Sequence, residues 1–241
     1  MKVCISGNIG AGKSSLAEKL STLLDKSLVV PEILEHNPFI KKFYEVQESQ
    51  GSTPGYNQFS FPNQLLFLKM NYDHERKFKS ENFPEIQFFL HDRIMLDAVY
   101  VFTHLLHDSK MLTDDEFRLF KMISEDYISP ASYPDVVIML DAPTDVLLRR
   151  IAKRGREMEK KIDSEYLRKI DAFYKSYTER IKKEEPKTQI VRVMNDESAS
   201  LDTLAEWCCK LLKNLSCQEP KTPALEISPA KPGDLIQVEQ S

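Results

Sequence analysis

The chain predicts an α/β fold: a doubly wound, five-stranded parallel sheet flanked by helices, with a helical lid. Three observations predict it. Short apolar runs alternate with longer amphipathic ones, the pattern of repeated strand–helix–strand units. The first of these runs leads directly into a glycine-rich turn and then a helical pattern. The composition, 41% hydrophobic and 29% charged over 241 residues, supplies a sizeable core and sets aside a disordered or fibrous chain.

The elements follow in order. Strands are expected at 2–6, 27–31, 86–91, 135–140 and 189–194, each bounded by a turn residue or followed by a helical pattern. Apolar spacing of three and four predicts helices at 13–25, 37–48, 60–80, 94–108, 113–129, 144–153, 163–183 and 199–215. Residues 49–58 are turn-rich without periodicity and read as a loop insertion. One domain, 1–217, is expected, with a lid at 150–160. The remaining residues, 218–241, hold four of the 13 prolines and no aromatic side chain, so they are expected to be disordered.

Charge and cysteine content exclude several classes. A net charge of −4 argues against nucleic-acid binding. The longest clear apolar stretch, Val136 to Leu140, is far short of the roughly 18 residues that span a bilayer. The first residues read as a strand rather than a leader, so an intracellular, cytoplasmic protein is expected. Cys4, Cys208, Cys209 and Cys217 lack metal-binding spacing, and neither zinc nor a disulfide framework is expected. His104 and His107 lie three apart on a helix without an evident third ligand, and a helical surface explains them.

Glycine is scarce, seven in all, and Gly7, Gly10 and Gly12 crowd into one segment. Gly7-Asn8-Ile9-Gly10-Ala11-Gly12-Lys13-Ser14 fits G-x-x-x-x-G-K-[ST] between a strand and a helix, the setting of a phosphate-loop NTPase fold, and Ser15 continues the segment. Backbone N–H groups and the helix N-terminus can cradle the phosphates of ATP. Lys13 would bridge the β and γ phosphates, and Ser14 would offer its hydroxyl to Mg²⁺. The competing reading is a glycine turn that merely joins strand and helix. The guanine-reading Asn-Lys-x-Asp of GTPases is absent, and the rest of the chain points to a second substrate pocket.

Glu32 follows the second strand and Asp92-Arg93 the third, at carboxyl ends that open onto one crevice beside the phosphate loop. Glu32 can accept a hydroxyl proton, Asp92 can support Mg²⁺, and Arg93 can hold a reacting oxygen or phosphoryl group. A solvated carboxylate and a surface ion pair are the bland alternatives. Arg150 and Arg154 share a helical face, Gly155 permits a turn after them, and Arg156 follows; this basic segment can close over a transferred phosphate or be a solvated helix end.

With these residues in place the chain resembles the deoxynucleoside kinases, over about residues 1 to 215. The markers are the phosphate loop, Glu32, Phe61-Pro62-Asn63-Gln64, Asp92-Arg93 and the run from Arg150 to Arg156. The stretch from Glu35 to Glu45 looks most like the bacterial branch. The resemblance implies ATP-dependent phosphorylation of a deoxynucleoside 5′-hydroxyl with Mg²⁺, and a homodimer. It implies Glu32 as general base, Arg93 as its stabiliser and Gln64 as the reader of the base edge. Phe102, and less directly Phe61, would pack on the base plane, where core packing is the alternative. Tyr44 and Glu159 match the pair on the sugar 3′-hydroxyl, with Tyr166 nearby and Tyr56 a rival for Tyr44.

Two departures bear on the base. The family's cytidine and purine enzymes carry Arg seven residues after the Gln and Asp six residues after the acid that precedes the catalytic Arg; here Asn71 and Ala98 stand there. Their joint absence resembles the thymidine-accepting members and favours pyrimidines including thymidine. A polar Asn71 also leaves a purine edge possible, and Ile94 replaces the family's small hydroxyl residue. A thymidylate-type monophosphate kinase and a catalytically silent structural subunit are the rivals.

Overall fold

The computed structural model describes residues 1–32, 37–50, 55–80, 83–217, 227–228 and 237–238. Strand β1 (Lys2–Gly7) runs through the middle of the sheet and is followed by α1 (Lys13–Leu23) and β2 (Ser27–Val30). Helices α2 (Pro38–Gln50) and α3 (Ser60–Ser80) lead to β3 (Phe88–Asp92). A helical run then comprises α4 (Met95–Asp97), a π-turn (Ala98–Phe102) and α5 (Thr103–Asp108). After α6 (Asp114–Tyr127) and a short 3₁₀ turn (Pro130–Ser132) come β4 (Val136–Asp141) and α7 (Thr144–Arg154). Another 3₁₀ turn (Glu157–Glu159) precedes α8 (Ser164–Glu184), β5 (Gln189–Met194) and α9 (Leu201–Cys217).

The five parallel strands that the sequence predicts are present, and they lie in the order β2-β3-β1-β4-β5. Val3, Cys4 and Ile5 of β1 and Val136 to Leu140 of β4 are buried on both faces, which is why they read as continuous apolar runs rather than alternating ones. The chain leaves β1 toward β2 on one side and reaches β4 on the other. The carboxyl ends of β1 and β3 therefore frame a switch-point crevice, with the glycine turn after β1 at its mouth.

Two expectations need correction. The predicted helix at 94–108 is not one α-helix, because five of its residues form a π-turn. Apolar spacing does not register one extra residue per turn. The loop expected at 49–58 begins later, since α2 runs on to Gln50; residues 51–54 of that insertion lie outside the described residues. The C-terminal tail from 218 also lies outside them, apart from Ile227–Ser228, which pairs parallel to β5, and Gln237–Val238, which pairs antiparallel to it in turn. Among the described residues no helix is long and apolar enough to cross a membrane.

Gly7 ends β1 at φ 144°, and a Cβ there would lie 2.5 Å from the carbonyl oxygen of Leu140 on the neighbouring strand. Gly155 caps α7 at φ 67° with no atom of a described residue within 4 Å of an added Cβ. Gly7→Ala should therefore lose about 3 kcal/mol from combined strain and overlap, a fall in Tm of about 6–12 °C. Gly155→Ala should lose only about 1 kcal/mol. Thermal unfolding of the two variants checks this, and equal losses would contradict it.

Candidate active site

The glycine turn wraps the N-terminus of α1 with Gly10 at φ 81° and Gly12 at φ 95°. Lys13 reaches back across it, its Nζ donating to Asn8 O at 2.9 Å. Burial, then the neighbouring Arg93, lowers the Lys13 ammonium to about 8. Ser14 Oγ donates to Asp92 Oδ2 at 2.5 Å, while the buried Asp92 Oδ1 has no partner among the described residues. Asn8 turns away from the cleft, donating to Leu167 O and Asp171 Oδ1 and so tying the loop to α8.

Arg93 stands one residue past β3 with a left-handed backbone, φ 64°. This conformation is uncommon for a side chain of its size and turns the guanidinium back over the strand ends. Its Nη1 donates to Glu32 Oε1 at 2.5 Å, its Nε to Tyr174 OH at 3.3 Å, and its Nη2 to Gly7 O at 3.4 Å. Its Cζ lies 4.7 Å from the centroid of the Phe102 ring. Burial pushes the Glu32 carboxyl up, but Arg93 and then Lys13 outweigh it and hold Glu32 below the ordinary value of 4.5.

A cleft of about 890 Å³ opens above this pair. Of the residues singled out from the sequence, Ile9, Gly10, Gly12, Lys13, Ser14, Ser15, Glu32, Asp92 and Arg93 line its phosphate-loop end. Arg150, Arg154 and Arg156 line its lid side, and Tyr44, Gln64, Asn71, Ala98, Phe102, Glu159 and Tyr166 line the rest. Gly7, Asn8 and Ala11 shape the loop from behind rather than face the cleft.

Phe61 does not line the cleft. It packs between the main core and the small cluster around Phe43 and Leu106, so the core reading of this aromatic is the correct one. Tyr56 is half-exposed and donates to Glu116 Oε1 away from the cleft, whereas Tyr44 lines it. Burial, then the nearby Tyr166 and Glu159, raises the Tyr44 phenol well above its usual range, and burial raises Tyr166 to about 12; both stay protonated donors.

The lid arginines are held differently. Arg154 donates to Glu159 Oε2 through Nε and Nη2 at 3.0 and 2.5 Å, and Arg156 Nη1 lies 3.4 Å from Glu159 Oε1. Arg150 bonds Glu197 and Asn195, leaving its buried Nη1 without a partner among the described residues. His104 and His107 both pack on Phe117, edge-on and stacked respectively, and burial lowers His104 to about 4. Among the described residues no group of three or more His, Cys, Asp or Glu is placed to hold a metal.

Sequence reasoning missed Asp97, Tyr174 and Asn195. Asp97 is fully buried and accepts from Ser6 Oγ, Tyr174 OH, Ile94 N and Tyr177 OH at 2.9, 3.0, 3.1 and 3.3 Å. Burial raises its pKa in spite of Arg93. Through Tyr174 this carboxyl backs the Arg93 guanidinium. Asn195 donates to Ala11 O, fastening the end of β5 to the glycine turn.

The fold is that of a phosphate-loop kinase. The family model for deoxynucleoside kinase matches residues 3–211. The chain is 26% identical over 194 residues to the deoxyguanosine kinase of Bacillus subtilis (strain 168), covering 80% of this chain and 86% of that one. It is 30% identical over 191 residues to a deoxyguanosine kinase of Lactobacillus johnsonii, covering 74% and 76%. A solved structure of deoxyadenosine kinase from M. mycoides, with products dCMP and a flexible dCDP bound, has the same fold: TM-score 0.71 at 21% identity, with 89% of this chain and 100% of that chain covered. The chain belongs to the deoxynucleoside kinase family and is a transferase that phosphorylates a hydroxyl group. The monophosphate kinase and silent-subunit rivals fall with that assignment.

Asp97→Ala should lose about 3–5 kcal/mol of stability, because three hydroxyls and a backbone N–H lose a buried acceptor at once. Asp97→Asn keeps the shape and part of the bonding and should lose less. Urea unfolding of both variants reads the order.

Proposed function

We propose that the protein transfers the γ-phosphoryl group of ATP to the 5′-hydroxyl of a deoxynucleoside, with Glu32 as general base. The observation that carries this reading is the Glu32–Arg93 pair beside Lys13 at the mouth of the phosphate loop. A carboxylate held below 4.5 is ionised at neutral pH and free to accept the hydroxyl proton. Arg93 fixes its orientation and supplies positive charge where the attacking oxygen becomes negative. Lys13 and the backbone of the glycine turn receive the phosphates.

The donor set suits Mg²⁺: one hydroxyl, one carboxylate with an unpartnered oxygen, and room for phosphate and water oxygens, which this ion prefers to an all-protein cage. Ser14 and Asp92 would hold it, and the ion neutralises phosphate charge. Arg150 offers its unpartnered Nη1 to the phosphates directly. Arg154 and Arg156 share themselves with Glu159, so closing on a phosphate loosens their hold on that carboxylate and frees it for the sugar 3′-hydroxyl beside Tyr44 and Tyr166. A closed lid excludes water and limits wasteful hydrolysis of ATP.

Gln64 reads the base edge, and Phe102 borders the base plane under Arg93. Asn71 gives its amide N–H to Phe67 O at 2.8 Å, and Ala98 presents only a methyl group, so this end of the pocket is open. That space supports pyrimidines including thymidine. The same space supports a purine, and the names of the relatives, deoxyguanosine and deoxyadenosine/deoxycytidine kinases, favour this second reading. Cytoplasmic nucleotide salvage by a homodimer is the setting we infer; half-exposed Leu119 and exposed Met122 on α6 supply apolar surface for a second copy.

Initial rates with ATP and Mg²⁺ on the four natural deoxynucleosides, with thymidine monophosphate alongside, test the reading. Nucleoside turnover should fall about 10²–10⁴-fold in Glu32→Gln. Turnover of the monophosphate alone, or an unaffected Glu32→Gln, would overturn it. ATP affinity should also depend on alkaline pH. Lys13 is lowered to about 8 in the free site and raised again by bound phosphate, so binding takes up a proton above that pH. The ATP Kd should therefore rise up to about tenfold per pH unit above 8 and stay flat below it for this group, as titration calorimetry at pH 7, 8 and 9 would record.

A further inference from the structure

The π-turn puts an unusual demand on one hydroxyl. In a regular helix Ala98 O would take the N–H four residues on; here it takes the Thr103 N–H, five residues on. The Thr103 side chain, fully buried, aims at the same carbonyl, with Oγ1 2.8 Å from Ala98 O. Its other polar neighbour is the Gln64 amide, whose oxygen position lies 3.3 Å from Oγ1. The Gln64 side chain is buried, lines the cleft and makes no other hydrogen bond to a described residue.

A hydroxyl carries one proton and two lone pairs. The shorter contact to the helix carbonyl takes the proton, so toward Gln64 the hydroxyl can only accept. Two acceptors facing each other at 3.3 Å repel. The two ends of a carboxamide have nearly the same shape, so the network decides which end faces Thr103, and the network calls for the NH₂.

We propose that Thr103 locks the Gln64 amide in this single orientation, NH₂ toward Thr103 Oγ1, and thereby sets whether the pocket prefers amino bases or keto bases. This rests on Gln64 reading the base edge. Adenine and cytosine present an exocyclic amino donor beside a ring-nitrogen acceptor; guanine and thymine present a carbonyl acceptor beside a ring N–H. One amide orientation matches the first couple, and the reversed orientation matches the second. A free amide could turn over to serve either. An amide pinned by Thr103 serves one and meets the other with like groups facing. Thr103 is thus a positioning residue for specificity, acting through Gln64 without touching substrate.

The test compares kcat/KM for pairs that differ chiefly at this edge, deoxycytidine against deoxyuridine and deoxyadenosine against deoxyinosine, in the full-length protein with ATP and Mg²⁺. Thr103→Val keeps the shape, and Ala98 O keeps the backbone N–H. It should move the amino-to-keto ratio about fivefold toward unity, from whichever side the wild type stands, the worth of one hydrogen bond. Thr103→Ser, which restores the hydroxyl, should retain the wild-type ratio. A wild-type ratio within about twofold of unity, or a ratio unmoved in Thr103→Val, overturns the proposal. Gln64→Leu separates the two levels: if it changes the ratio while Thr103→Val does not, only the locking role fails. If Gln64→Leu leaves the ratio intact, the base-reading assignment and the locking role fail together.

Discussion

A mostly buried guanidinium that ties the end of β3 to three other chain segments governs the geometry of the cleft. Arg93 leaves β3 in a left-handed turn and joins Glu32 after β2, the Gly7 carbonyl at the end of β1, and Tyr174 on α8. An isolated buried charge would cost several kcal/mol, and a lone carboxylate beside it would cost as much. The two are stable here because each supplies the other's counter-charge, with further hydrogen bonds and an aromatic face completing the guanidinium's surroundings. Removing one partner would strand the other. The strand ends are therefore fixed relative to one another by the same contact that holds Glu32 ionised.

Behind that pair lies a second layer, centred on Asp97. Asp97 gathers hydroxyls from β1 and α8 and a backbone N–H from its own turn. Tyr174 belongs to both layers, donating to Asp97 while accepting from Arg93. A carboxyl so well satisfied is rigid, and rigidity one layer back is what keeps a reacting group within the fraction of an ångström that positioning requires. The π-turn that follows belongs to the same construction, since it shifts the register of the helix between Ala98 and Phe102, two residues that face the cleft.

The phosphate loop was legible from sequence because its chemistry is contiguous: eight residues carry the turn, the cradle and the lysine. Glu32, Asp92 and Arg93 were legible one step less directly, through the rule that carboxyl ends of parallel strands share a crevice. Asp97 was not, because an acid in a helical pattern looks solvated until its partners, 77 and 80 residues away, are folded against it. Phe61 sits in the core, the alternative to the place that the resemblance implies, because matching a motif position does not say which way an aromatic ring turns. The π-turn left no trace in apolar periodicity, and with it the contact between Thr103 and Gln64 was hidden. Specificity is the least legible property for the same reason: it resides in hydrogen-bond direction, which spacing does not encode.

The most direct test of the central claim, that Arg93 keeps Glu32 ionised and ready as the base, is the pH profile of kcat/KM for the deoxynucleoside, which reports the free enzyme's groups. With Glu32 held below 4.5, the acid side should be flat between pH 5 and 7. An acid limb inside that window would contradict the account, since the base would then be protonated where the structure holds it as a carboxylate.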